Sequence, residues 1–156
     1  MMRKVLIVLA AATAAGVLTS SALAIGDDPT ARAGFIGTIQ IRGAKATLKV
    51  RYRCAKVAGV HLWVSAKQTR SGLSASRLMK EGSSRSSAAW WDTHRDPVLC
   101  SDSWHTGTFT IDHVEKGTKG QLKPGTAWVQ FCITTGTTEP NTKLRLSKSG
   151  WVHVTA

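Results

Sequence analysis

The chain has 156 residues, a hydrophobic share of 42% and a formal net charge of +12. This length suffices for one domain with a hydrophobic core but not for two. The basic residues are spread along the chain without a block of five or six, which excludes a disordered cationic tail, while the positive surplus favours anionic partners.

The first 24 residues have the features of a secretory signal peptide. Arg3 and Lys4 precede a short apolar run over 5–17, and Ala22 to Ala24 form a small-x-small cleavage site. The run is too short for a membrane span, and no later segment reaches spanning length. The segment holds two of the 21 basic residues and none of the nine acidic ones. We therefore expect cleavage near Ala24 and a secreted or cell-surface mature chain of 132 residues with a charge of +10.

The first predicted strands follow a flexible segment over 25–33. One strand is expected from Gly34 to Arg42, and the next, over 46–54, alternates strictly between two kinds of side chain. This period of two is typical of a strand with one buried face. Its core face holds Ala46, Leu48, Val50, Tyr52 and Cys54, and its solvent face holds Thr47, Lys49, Arg51 and Arg53.

The same alternation recurs over 60–67, 107–111, 127–133 and 143–154. The stretch between 69 and 87 is rich in serine and irregular, which predicts a long connection or an edge hairpin. No long segment has a helical period. Short strands joined by Gly, Pro, Ser and Thr predict an all-β domain over 34–156, an antiparallel immunoglobulin-like β-sandwich of about seven to nine strands.

Three cysteines in an exported chain predict one disulfide bond and one further thiol. Cys54 ends a strand on its core face, whereas Cys132 lies on the opposite register from its apolar neighbours, which argues against a bond between these two. Cys100 lies in a turn-rich region and is able to approach a strand end. We therefore predict a Cys54–Cys100 disulfide that leaves Cys132 outside it.

Four short motifs accompany these cysteines: Tyr52-Arg53-Cys54, Val60-His61-Leu62-Trp63-Val64, Cys100 followed by Trp104, and Pro124-Gly125-Thr126-Ala127. Together they resemble small exported immunoglobulin-like domains of unknown function from high-GC Gram-positive bacteria. The resemblance covers most of the chain from 35 to 154, implies a β-sandwich and supports the predicted disulfide. It carries no catalytic residue to this chain.

A metal site would draw on acidic and histidine side chains near Cys100, but no recognised ligand spacing is present. The candidate ligands are Asp92, His94, Asp96, Asp102 and His105. Their setting favours local turns, in which aspartate side chains bond their own backbone. We predict no metal and no cofactor.

A thiol nucleophile would pair Cys132 with His113 or His153, yet no flanking motif of a known family surrounds this cysteine. No Gly-x-Ser-x-Gly motif is present either. We predict no catalytic residues, with thiol- or metal-dependent activity as the minor alternative.

An aromatic binding surface is predicted where the strands over 60–67, 127–133 and 143–154 are neighbours in one sheet. Outward indoles would form a platform for sugar rings, and histidine and arginine would supply hydrogen bonds. The predicted contact residues are Trp63, Trp128, Trp151, His61, Arg145 and His153. The alternative is that the segment 69–100 folds over this sheet and buries the indoles.

Lys49, Arg51 and Arg53 form a separate basic stripe, which attracts phosphate-rich polymers or simply keeps a strand solvated. Nucleic acid is not expected, because this strand lacks interleaved aromatic residues. We expect an exported, non-enzymatic binding module for an anionic cell-wall or extracellular glycan. The alternative is a secreted inhibitor or antagonist that contacts another extracellular protein through its loops.

Overall fold

The structure, a computed structural model, describes residues 28–69, 78, 87–95, 98–112, 120–136 and 143–156. It contains the strands β1 (Arg32–Arg42), β2 (Lys45–Arg53), β3 (Val60–Thr69), β4 (Ser87–Arg95), β5 (Trp104–Asp112), β6 (Gly125–Thr135) and β7 (Lys143–Thr155). No helix in these ranges is long and apolar enough to cross a membrane. The predicted signal peptide and most of the irregular stretch over 69–87 lie outside the described residues.

The all-β class is confirmed, but the predicted immunoglobulin-like β-sandwich is wrong, because the strands close into a barrel in the order β1-β2-β5-β4-β3-β6-β7. Two narrow seams complete the closure. β1 pairs in parallel with the end of β7 at Ile39 and Val154, and β4 pairs with β5 at Asp92 and Asp112. A sandwich would leave these strand edges unpaired between its two sheets.

β1 reaches both of its neighbours through an irregularity in its pairing with β2 between Ile36 and Gln40. Gly37 lies there with φ of 70°, a left-handed conformation that glycine adopts without strain. Beyond this bulge, the Thr155 hydroxyl donates a hydrogen bond to the Ile39 carbonyl over 3.3 Å. Beyond the bulge, β1 therefore pairs with β7 as well as with β2.

β4 is a strand that the sequence did not predict. It pairs with β3 in antiparallel register from residue 95 to residue 87. Trp91 is fully buried in the core, and Asp92, on the other face of the strand, is only 3% exposed. Because both faces are covered there, the alternation that reveals a half-buried strand is lost.

The predicted core faces of β2, β3 and β6 are confirmed. The alternating apolar residues of these strands are buried, including Leu48 and Val50 on β2 and Leu62 and Val64 on β3. Three aromatic rings meet inside the barrel, with centroids 5.4 to 6.1 Å apart: Tyr52, Phe109 and Phe131. Tilted contacts of this kind add to the apolar area that these rings bury.

The predicted Cys54–Cys100 disulfide is confirmed, with a Cα–Cα distance of 5.0 Å. It joins the end of β2 to the loop before β5. In this loop Asp102 has φ of 61°, and its N–H donates a hydrogen bond to the Cys54 carbonyl over 3.0 Å. Burial raises the pKa of the neighbouring Tyr52 hydroxyl, against the opposing effect of a hydrogen bond with the Leu99 backbone.

The segment ahead of β1 is anchored from Asp28 onward, within the range predicted to be flexible. The buried Asp28 carboxylate accepts hydrogen bonds from the Ala55 N–H over 2.6 Å and from the Thr30 hydroxyl over 2.7 Å. Burial raises the pKa of this carboxyl, but these bonds, the Thr30 N–H and the charge of Arg145 outweigh it and lower the pKa overall.

Candidate binding surfaces

β3, β6 and β7 are neighbours in the barrel, as predicted for the three segments of the aromatic surface. One row of side chains crosses this region and includes β4: Trp90 lies opposite Lys67, Lys67 opposite Trp128, and Trp128 opposite Trp151. Lys67 is fully buried, Trp128 is 9% exposed and Trp151 is 48% exposed. The row therefore opens to solvent at β7, and Trp63, Trp128 and Trp151 do not form one open platform.

Trp151 is held by the buried indole beside it. The ring centroids of Trp128 and Trp151 are 5.1 Å apart and their planes meet at 74°, an edge-to-face contact. His153 follows on the same side of β7, and both it and Thr126, its partner on β6, are exposed. The exposed end of the row thus combines an indole with an imidazole and a hydroxyl group.

The middle of the row is covered from outside the barrel. The Lys67 ammonium donates hydrogen bonds to the Leu78 carbonyl and to Gln130 Oε1, each over 3.0 Å. It also lies 4.6 Å from the Trp90 ring centroid and 5.8 Å from that of Trp63. Since Leu78 is itself fully buried, part of the 69–100 segment covers this sheet, as the alternative prediction proposed.

The remaining predicted contact residues lie away from Trp151. Arg145 precedes Trp151 on β7 by about 20 Å at the usual strand rise, and its charge acts on the Asp28 carboxyl. His61 is separated from Lys67 by a similar length of β3, and Trp63 lies opposite Cys132 rather than Trp128. Of the predicted set, only His153 accompanies Trp151 and Trp128.

The metal site and the thiol nucleophile that were weighed from the sequence involve residues of which the structure describes only a part. No group of three or more histidine, cysteine, aspartate or glutamate side chains comes together among the described residues to hold a metal ion. His105 Nε2 lies 2.8 Å from the Ser101 hydroxyl. Cys132 Sγ lies 3.6 Å from the Ser147 hydroxyl. Ser147 precedes His153 on β7 by about 20 Å at the usual strand rise, so the thiol lies far from that histidine. His113, Asp96 and the side chain of His94 lie outside the described residues.

A second surface is the outward side of β1, β2 and β5, which we call the basic face. It contains the predicted stripe of Lys49, Arg51 and Arg53 and extends it on both sides. Its outward positions, in cross-strand register, are Arg32, Gly34, Ile36, Gln40 and Arg42 on β1, Lys45, Thr47, Lys49, Arg51 and Arg53 on β2, and Trp104, Thr106, Thr108, Thr110 and Asp112 on β5.

Trp104 is the residue that sequence reasoning missed on this face. It pairs with Arg53 across β2 and β5, and the Arg51 guanidinium carbon lies 4.6 Å from its ring centroid. Its side chain is 47% exposed. The stripe was predicted to lack an aromatic residue because Trp104 is about 50 positions away in the sequence and arrives only through strand pairing.

One end of the barrel carries a shallow, mainly apolar groove of about 390 Å³, lined by residues 57–61 and 98–100. Leu99, at its rim, is 60% exposed. The groove borders the Cys54–Cys100 disulfide and does not include Trp104 or Trp151.

Comparisons with known proteins do not place the chain in a family. No protein-family model and no curated protein matches it. It is similar to the solved C-terminal domain of Wzt, with 12% identity and a TM-score of 0.44 over 86% of this chain and 78% of that one.

Proposed function

We propose that the protein is a non-enzymatic glycan-binding module whose sugar site is centred on Trp151. The observation that carries this proposal is an indole that is 48% exposed and yet held edge-on by the buried Trp128 at 5.1 Å. An indole face stacks well on the apolar C–H face of a sugar ring. Since Trp128 already restricts the exposed ring, binding costs little further ordering of this side chain.

The side chains beside Trp151 are able to form hydrogen bonds with the hydroxyl groups of the sugar that stacks on the indole. His153 and Thr126 are exposed and directly opposite each other, two residues along each strand from the indole pair and on the same side of the sheet. Their side chains both donate and accept hydrogen bonds. In this proposal Trp151 supplies the stacking contact, and His153 and Thr126 orient the ring.

The proposed location and ligand follow from the start of the sequence and from its charge. A signal peptide cleaved near Ala24 would export the chain, so its ligand would be a cell-wall or extracellular polymer. The net charge of +10 expected for the mature chain favours an anionic polymer, because it raises the local concentration of negatively charged partners.

The test is co-sedimentation of the exported protein with insoluble cell wall and with chitin across a salt series. We expect Trp151→Ala to weaken binding at high salt by roughly tenfold, and Leu99→Ala, which removes an exposed apolar side chain outside this surface, to have little effect there. Equal binding by both variants and the unchanged protein would overturn the proposal. Denaturation midpoints of all three proteins check that the folded state is retained.

A protein-binding function is the second candidate, and the exposed Leu99 beside the apolar groove favours it. Exposed apolar surface beside a groove is typical of sites that contact other proteins. If this candidate is correct, Leu99→Glu abolishes a complex with an extracellular protein in chemical cross-linking, whereas Trp151→Ala leaves that complex intact.

A further inference from the structure

We propose that the basic face is a separate binding site for an anionic polysaccharide, with Trp104 as its aromatic contact. This inference rests on the proposed glycan-binding function and names a ligand class for it, but it does not use Trp151. The Trp151 surface offers uncharged partners for a sugar ring, whereas the basic face offers cations. The two sites are therefore separable by mutation and by salt.

Charge complementarity selects the ligand. Among the outward positions of β1, β2 and β5, all of which are described, six are basic and one is acidic: Arg32, Arg42, Lys45, Lys49, Arg51, Arg53 and Asp112. The outward residues of β2 from Lys45 to Arg53 extend over about 27 Å at the usual strand rise. A row of cations on this scale suits a polymer with repeated negative groups better than a single small anion.

Arg51 and Trp104 form the most specific element of this face. The guanidinium carbon lies 4.6 Å from the indole centroid, so the cation is stacked on the ring. A stacked guanidinium presents a fixed fork of N–H donors that matches a carboxylate, sulfate or phosphate group. Because Trp104 is still 47% exposed, the indole also offers area to the sugar ring that carries the anionic group.

Hydroxyl groups line the other side of the cations. Thr106 on β5 lies opposite Arg51, and Thr108 lies opposite Lys49. Both threonines are exposed, as are both of these basic residues. Neighbouring strands are about 4.8 Å apart, so one bound sugar is able to meet a cation and a hydroxyl group at once. This alternation matches a ligand that combines anionic groups with hydroxyls.

The same face argues against two other macromolecules. Single-stranded nucleic acid is bound by several aromatic side chains on which successive bases stack, and Trp104 is the one aromatic residue among the outward positions of these three strands. Protein interfaces have an apolar centre that is depleted in charge. Here the exposed apolar side chains, Ile36 and Trp104, are separated by basic residues and threonines.

The test compares two double variants that remove the same charge. Lys49→Gln with Arg51→Gln changes the basic face, and Lys123→Gln with Lys143→Gln changes exposed lysines outside it. Heparin, polygalacturonate and a glycerol-phosphate polymer are titrated by calorimetry from about 50 to about 300 mM NaCl, with oligo-dT as the nucleic-acid probe. The three polysaccharide or phosphate probes distinguish sulfate, carboxylate and phosphate as the anion.

We expect the variant in the basic face to bind at least one of the three anionic polymers roughly tenfold more weakly and with a smaller salt dependence, and the control pair to change affinity less than about twofold. Trp104→Ala should weaken binding at every salt concentration without changing the salt dependence, since it removes no charge. The loss caused by the basic-face variant should be the same in a Trp151→Ala background, so the result does not depend on whether the Trp151 site passes its own test.

Three results would overturn the proposal. Equal losses in both double variants would reduce binding to the overall charge of the protein. Tighter binding of oligo-dT than of all three polymers, lost in the same face variant, would make nucleic acid the ligand. No binding of any polymer at the lowest salt concentration would remove the site altogether. A denaturation midpoint equal to that of the unchanged protein shows that a variant is folded.

Discussion

The indole N–H of Trp91 donates a hydrogen bond to the carbonyl oxygen of Gly120 over 3.1 Å. Trp91 is the fully buried core residue of β4, and Gly120 precedes β6. The bond thus joins β4 to the loop that precedes β6, a strand with which β4 does not pair. Gly120 has φ of 65°, and a Cβ atom there would collide with the Ala88 carbonyl oxygen. This packing of a loop against β4 requires glycine.

Gly120→Ala is therefore expected to destabilise the protein by about 3 kcal/mol, from backbone strain and from the collision with Ala88. Gly43→Ala is the matched control: its φ of 62° is similar, but no atom lies within 4 Å of the added Cβ. Its expected cost is about 1 kcal/mol, from strain alone. Urea denaturation measures both, and equal costs would show that the Ala88 contact does not matter.

Loss of the Cys54–Cys100 disulfide should strongly destabilise the protein. The bond closes a loop with a sequence separation of 46, for which the chain-entropy model gives about 4 kcal/mol. Denaturation of the double variant Cys54→Ser with Cys100→Ser measures this loss. Cys132→Ser, at the half-buried cysteine outside the bond, is expected to cost less than about 1 kcal/mol. A larger effect at Cys132 than at the pair would contradict the assignment.

The stability of the protein should fall in acid because of Asp28. Its pKa is lower in the folded state than the ordinary value of 3.8, so the unfolded chain binds more protons in this range. The contribution is complete above the ordinary pKa and is lost as the pH falls through the folded one. At neutral pH, Asp28→Asn should cost about 1 to 2 kcal/mol, because the amide side chain cannot accept all of the bonds from Ala55 and Thr30.

Denaturation of the unchanged protein and of the Asp28→Asn variant, at neutral pH and at several values below the ordinary pKa of 3.8, checks this prediction. The difference in the free energy of unfolding between the two proteins should shrink as the pH falls. A difference that stays constant throughout the acid range would assign the effect to packing instead of ionisation.

Trp128 should affect sugar binding although it is almost inaccessible. Trp128→Ala removes the ring that holds Trp151, and it should cost about 3 to 5 kcal/mol of stability as well as weaken binding. Trp128→Phe retains an edge-to-face partner and should preserve most of the affinity. Binding to chitin at high salt, under conditions in which each variant is folded, measures this effect. Full affinity in a folded Trp128→Ala chain would show that Trp151 needs no support.

Local alternation of side chains was enough to assign the buried faces of β2, β3 and β6 and to argue against a Cys54–Cys132 bond. Each depends on neighbours within one strand or on the side of a strand that a residue occupies. In β2, for example, Leu48 and Val50 must share a face whatever the strand pairs with. The adjacency of the three strands that carry the tryptophans was also predicted, but from an immunoglobulin-like strand order that the barrel does not have.

Closure of the barrel, the role of β4 and the exposure of the indoles depend instead on contacts between distant segments. Alternation with a period of two shows which face of a strand is buried, but it does not show which strands pair. It therefore could not predict that β1 pairs with β7 or that β4 pairs with β3. For the same reason, the sequence did not predict that Arg51 stacks on Trp104 or that Lys67 is covered at Leu78. The exposure of the outward side chains depends on long-range packing, because a polar face is buried only where a distant segment of the chain packs over it.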